Sequence, residues 1–312
     1  MKSPVLFLVF NRPDTTARVF QTIRAARPPR LYVAADGPRL NRPGEAARCE
    51  EVRRIATAVD WPCELVTLFR RENLGCKRAV SSAISWFFDQ EVEGIVLEDD
   101  CVPDPSFFPY CDDLLARYRD EPKIMCVSGD NFVSSAWTPG ESYYFSTYIP
   151  VWGWASWRRA WRSYDVEMAA YHQDGPRILD RLFADRPRAR ERWKGLFDKV
   201  CSGQLDTWDY QWLLNCWMRG GLSCMPSINL ISNIGFGQDA THTTSPESKL
   251  ANIPSGSLRM PLKHPTSISP AADADAWLER HVLGIDEDAG LATRWCKALS
   301  GQWARALAAL NK

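Results

Sequence analysis

The sequence predicts an α/β protein built on a doubly wound, mostly parallel sheet with helices on both faces. Two observations lead there. Short apolar runs, several rich in β-branched residues, recur along positions 1–130, and each is followed across a short link by apolar residues at helical spacing. A third sets the scale, since 312 residues suffice for one large α/β domain or two ordinary ones.

Residues 5–10 form the first strand, which ends at Asn11-Arg12-Pro13-Asp14; Val19, Phe20 and Ile23 then recur at helical spacing, with Asp14 or Thr15 as the cap. The second strand, 31–35, ends at Asp36-Gly37-Pro38, and a helical pattern over 45–59 runs through Val52, Ile55 and Val59. A third strand over 64–69 leads through Asn73-Leu74-Gly75 into a helix over 76–88. The fourth lies in G-I-V-L-E-D-D-C-V-P-D-P-S-F-F from Gly94, where prolines force a turn before a helix of about fifteen residues starting at Pro105. Residues 124–128 make a fifth strand.

After Asp130 the pattern changes. Residues 143–148 are aromatic and strand-like, and P-V-W-G-W-A-S-W-R-R-A-W over 150–161 reads as a wall for sugar rings, with core packing as the plainer alternative. An arginine-rich helical stretch over 175–201 reads as solvated surface. Asp206 to Leu214 opens another helix, and 227–234 is a late strand followed by the glycine-rich G-F-G-Q-D-A-T-H-T-T, a flap in character. An irregular arm over 249–270 precedes a helix over 291–310, with Trp295, Leu299, Trp303, Leu307 and Leu310 on one face, suited to packing on the domain or to peripheral contact with a membrane. The expected organisation is one domain over 1–245, in two halves that meet near 130, and a C-terminal arm over 246–312.

Three adjacent carboxylates, Glu98, Asp99 and Asp100, repel one another unless a divalent cation and hydrogen-bond donors share their charge. The end of a buried parallel strand is where open α/β sheets place their ligands. Along an extended chain Glu98 and Asp100 face one side and Asp99 the other, so one ion cannot take all three; Asp100 is the expected direct ligand, with a solvated acidic turn as the alternative. His242 is a candidate to complete the metal shell. Arg12 and Asp36 stand at the ends of the first two strands, suited to a diphosphate and to a donor on a base edge such as uracil N3–H, or simply to a surface arginine and a helix cap. Lys77 offers a second cation for a leaving diphosphate, and Asp209 is the candidate base, with Asp206 and Asp239 in reserve.

Lysines and arginines number 38, as do aspartates and glutamates, and this balance disfavours a nucleic-acid binder. No glycine-rich loop follows the first strand, which disfavours dinucleotide and P-loop sites. The ten cysteines include no C-x-x-C pair and read as buried thiols in a reducing compartment. The N-terminal apolar run is too short for a signal peptide and no stretch reaches transmembrane length, so a cytoplasmic location, with peripheral attachment to the membrane's inner face as an option, is expected.

Taken together, N-R-P-D after the first strand, D-G-P after the second, E-N-L-G-C-K, E-D-D-C-V-P-D-P-S-F-F, W-G-W, W-D and G-F-G-Q-D-A-T-H-T resemble GT-A glycosyltransferases that use nucleotide-diphosphate sugars. The likeness spans about Val5 to Thr244. It is strongest to bacterial sugar transferases often labelled hemolytic-protein-like, and more distant to the N-acetylglucosaminyltransferase I family. The resemblance implies a GT-A, Rossmann-like fold, with Asp100 holding Mn²⁺ or Mg²⁺ and Glu98 and Asp99 holding donor-sugar and ribose hydroxyls. It further implies that Arg12 and Asp36 contact the nucleotide and that Asp209 of the W-D pair is the base. It implies an inverting transferase taking a UDP-sugar to a saccharide or lipid-linked acceptor in bacterial surface polysaccharide or glycoconjugate assembly. A sugar-1-phosphate nucleotidyltransferase and a catalytically silent sugar-binding protein are the rival readings.

Overall fold

The computed structural model describes residues 1–133, 136–236 and 252–286. In the first half, strands and helices alternate as β1 (Val5–Val9), α1 (Pro13–Ala26), β2 (Arg30–Ala35), α2 (Glu45–Ala56), β3 (Glu64–Phe69), α3 (Gly75–Gln90) and β4 (Glu93–Glu98). A short β5 (Cys101–Pro103), α4 (Phe107–Arg117) and β6 (Ile124–Ser128) follow. The remainder comprises β7 (Tyr143–Ser146), β8 (Trp154–Trp157), α5 (Arg158–Trp161), α6 (Ala169–Leu182), α7 (Pro187–Cys201), α8 (Asp209–Met218), β9 (Leu222–Pro226), β10 (Ile231–Asn233) and α9 (Ala272–His281).

Eight strands form one sheet in the order β3-β2-β1-β4-β8-β6-β9-β7. The pairs β3·β2, β2·β1, β1·β4 and β6·β9 are parallel, whereas β8 and β7 run against their neighbours. β1 shows why both faces need cover: Val5, Phe7 and Val9 join one apolar layer while Leu6 and Leu8 join the other. The first layer is completed by Val19, Phe20 and Ile23 of α1, Val52 of α2 and Leu114 of α4. Ile84 and Phe87 of α3, Phe197 of α7 and Trp212 of α8 complete the second. The molecule is thus an α/β protein with a mostly parallel sheet clad on both sides, as the alternating pattern predicts.

Four expectations are corrected. The helix after the fourth strand begins at Phe107 and has 11 residues, because Asp104 accepts hydrogen bonds from the Ser106 amide and hydroxyl and holds the preceding turn. The aromatic wall over 150–161 is largely core: Trp154 and Trp157 are 1 % exposed, since β8 is inserted antiparallel between β4 and β6 and buries both of its faces. The arginine-rich stretch over 175–201 is amphipathic rather than wholly solvated, with Trp193, Phe197 and Val200 buried. The late strand expected over 227–234 shortens to β10, and β9 precedes it at Leu222–Pro226.

Past the irregular arm, α9 was not anticipated. It packs beside β7, where Asp275 accepts hydrogen bonds from Ser146 Oγ at 2.5 Å and Thr147 N at 3.0 Å, and Glu279 accepts one from Arg186 at 2.5 Å. Among the described residues no helix is long and apolar enough to cross a membrane. The helix predicted over 291–310 lies outside the described residues.

Candidate active site

The parallel strands of the first half each deliver polar side chains to one crevice, because their carboxyl ends all open on the same edge of the sheet. Arg12 follows β1, Asp36 and Arg39 follow β2, Arg70 follows β3, and Glu98 and Asp99 close β4; together they line a cavity of 280 Å³. A second cavity of 470 Å³ holds Asp100, Lys199, Asp209 and Gly235. Arg12, Cys76 and Glu98 line both, so the two are halves of one depression.

At its centre Arg12 bridges the acids. Its guanidinium pairs with Asp99 through Nη2 and stands 2.9 Å from Asp100 Oδ2 through Nη1. Asp99 is also reached by the Phe10 amide and is only 3 % exposed, so this acid is an internal anchor rather than an open ligand. Burial works against the charge on Arg12, but Asp99 and Asp100 outweigh it and raise its pKa above the ordinary value. Burial, then the neighbouring Asp100 and Asp99, hold the Glu98 carboxyl well above the usual carboxylate range.

The two-stranded ribbon of β5 and β10 carries residues 231–235 back over the acids, with Asn233 opposite Cys101 and the Ile234 amide donating to the Asp100 carbonyl at 2.9 Å. A Cβ on Gly235 would overlap Asp100 Oδ2 and lie 2.8 Å from Arg12 Nη1, so a side chain there would push the two charged groups aside. At Gly153 the backbone has φ +110°, a conformation L side chains rarely adopt, and this places Trp152 and Trp154 on either side of a sharp turn.

Several predicted residues find structural partners. Asp36 accepts from the amides of Gly37, Leu74 and Gly75 and from Asn73 Nδ2 at 2.9–3.2 Å, so it ties the turn before α3 to the end of β2 and keeps no open direction for a base edge. Asp206 caps α3 from a distant loop, taking the Cys76 and Lys77 amides at 2.9 and 3.1 Å. Lys77 pairs its ammonium with Glu167 at 3.1 Å, and it lines neither cavity. Asp209 opens α8 and accepts from Thr207 Oγ1 and from the Tyr210 amide, both on Oδ1, which leaves Oδ2 without a hydrogen bond among the described residues. His242 and Asp239 lie outside the described residues.

Among the described residues no three His, Cys, Asp or Glu side chains gather as a cage for a metal ion. Glu98 and Asp100 nonetheless line the second cavity together, and one or two carboxylates with substrate phosphates and water completing the shell is the usual way a protein holds Mg²⁺ beside a nucleotide.

Sequence reasoning missed three residues. Arg39 and Arg70 add cations to the first cavity, and their position at the ends of β2 and β3 was the signal that would have found them. Asp130, two residues past β6, is fully buried, and its pKa is pushed up to about 7 by burial, against the Trp152 amide and the Ser128 hydroxyl. It lines a third cavity, of 170 Å³, which Asp209 and Trp152 also line.

No family model matches the chain, and no curated protein matches it either. Among solved structures, mouse xyloside xylosyltransferase 1 matches at TM-score 0.33 and 11 % identity over 69 % of this chain and 81 % of that one. HddC from Yersinia pseudotuberculosis matches at TM-score 0.32 and 10 % identity, over 50 % and 77 %. A UDP-glucose pyrophosphorylase complexed with UDP-glucose matches at TM-score 0.24 and 10 % identity, over 47 % and 62 %. Likenesses this remote leave the reading of the site to the residues themselves.

Proposed function

We propose that this protein is a glycosyltransferase of GT-A type that moves a sugar from a nucleotide diphosphate, a UDP-sugar in our reading, to an acceptor hydroxyl with inversion. One observation carries the proposal: Arg12, Glu98 and Asp100 share a single cavity with Asp209, so a cation pole for phosphate and an acid with an unused oxygen face the same space. The first cavity takes the nucleoside between the ends of β1, β2 and β3, with Arg39 and Arg70 beside it.

Sugar transfer breaks the bond between the anomeric carbon and the diphosphate oxygen and forms one to the acceptor oxygen. Negative charge builds on the leaving diphosphate, and Arg12 is placed to meet it. Asp100, with Glu98 alongside, would hold a Mn²⁺ or Mg²⁺ ion, which would add positive charge to stabilise the leaving group. Asp209 takes the proton from the attacking hydroxyl through Oδ2. One base and no covalent intermediate give inversion at the anomeric carbon. Glu98 suits a hydrogen bond to a donor-sugar hydroxyl in either protonation state.

The test is a thermal-shift panel of nucleoside diphosphates and nucleotide sugars with and without Mn²⁺, followed by assay of donor cleavage. UDP with Mn²⁺ is expected to raise the melting temperature and Asp100→Ala to remove that gain. Release of pyrophosphate from a nucleoside triphosphate and a sugar 1-phosphate, with no cleavage of any nucleotide sugar, would overturn the reading in favour of a nucleotidyltransferase.

A further inference from the structure

The third cavity lies beyond Asp209, between the turn after β6, the chain entering β8, the first turn of α8 and the underside of α9. Its walls are mainly apolar and aromatic, with Phe132, Trp152, Tyr210 and Leu278 among them, yet two acids border it. Asp130 Oδ2 accepts from the Trp152 amide at 3.0 Å, while Oδ1 is buried and has no hydrogen-bond partner among the described residues. A buried carboxylate oxygen without a partner costs on the order of 1–3 kcal/mol.

On the reading of Asp209 as the base, we propose that Asp130 is a residue that selects the acceptor: Oδ1 accepts a hydrogen bond from a second hydroxyl of a sugar ring whose reacting hydroxyl lies at Asp209. The cavity's chemistry points to a sugar rather than a lipid chain or a peptide. Flat aromatic faces suit the C–H faces of a pyranose, and two acids with one unused oxygen apiece ask for two hydroxyl donors on one compact molecule. A volume of 170 Å³ admits a single ring and little more.

The experiment is calorimetric titration of the full chain with methyl glycosides of glucose, galactose, mannose and N-acetylglucosamine, with and without UDP and Mn²⁺. At least one glycoside is expected to bind saturably. Asp130→Asn keeps the volume and an acceptor for the Trp152 amide; it should weaken that glycoside about tenfold, the effect of losing one hydrogen bond. Leu213→Phe, which adds bulk to the same cavity from α8, should weaken it at least as much. Failure of all four glycosides to saturate, or dissociation constants that both variants leave within twofold of the parent, would overturn the proposal. UDP stabilisation on the same samples separates the two readings. Glycoside binding without a UDP effect sinks the donor site and spares this one, and a UDP effect without glycoside binding does the reverse.

Discussion

The crevice at the ends of β1 to β4 and the cavity between β6 and α8 are both bordered by acids, and they treat those acids in opposite ways. In the crevice, Asp36, Asp99 and Asp206 have their oxygens taken up by backbone amides, Asn73 or Arg12. Across from them Asp209 and Asp130 each keep one oxygen without a hydrogen bond. Acids that look alike in the sequence thus divide into anchors and reagents according to whether the fold has already satisfied them. An anchor is measured by stability, a reagent by rate and binding.

The largest effect expected is on Asp100, which sits on the border between the two kinds. Its loss in Asp100→Ala, or removal of divalent metal by chelation, should lower donor cleavage about a thousandfold, measured as nucleotide release. Asp209→Asn should lower transfer by about a hundredfold or more while the UDP-induced thermal shift persists. Loss of that shift would move Asp209 to the anchors. On the other side, Asp99→Ala leaves Arg12 without its closest partner and should cost about 3 kcal/mol in chemical denaturation.

Asp130 gives a pH test with a definite sign. Its folded pKa, about 7, lies above that of an unfolded carboxyl, so its contribution to stability is complete below the unfolded pKa near 4 and is lost as pH rises toward 7. The slope should reach at most about 1.4 kcal/mol per pH unit and disappear in Asp130→Asn, as read by denaturation at several pH values between 4 and 7. Smallest is Asp36→Ala, which frees the turn at Asn73 and should cost about 1 kcal/mol with no direct loss of a substrate contact.

The first half was legible because its strands and helices are neighbours in sequence as well as in space. An apolar run such as Val5–Val9 with a helical repeat behind it admits one arrangement, and the sheet's polarity then puts Arg12, Glu98 and Asp100 on one edge. The second half is made by pairings between distant segments. Trp154 and Trp157 look like a ligand surface until Ile95 and Gly94 are found opposite Ala155 and Ser156, some sixty positions earlier in the chain. Asp130 gave little sign of itself, a single acid after Ser128 and Gly129 whose burial depends on Trp152. The partner of Lys77 was equally hard to foresee, since Glu167 arrives from a segment with no motif.

β8 has a consequence for how the chain reaches its final form. During synthesis β1 to β4 are complete long before Trp154 leaves the ribosome, and until then the outer side of β4 stands as a bare edge with its backbone donors and acceptors unused. A nascent or truncated chain halted short of residue 157 therefore presents a sticky border to other chains, and efficient production depends on the second half arriving to seal it.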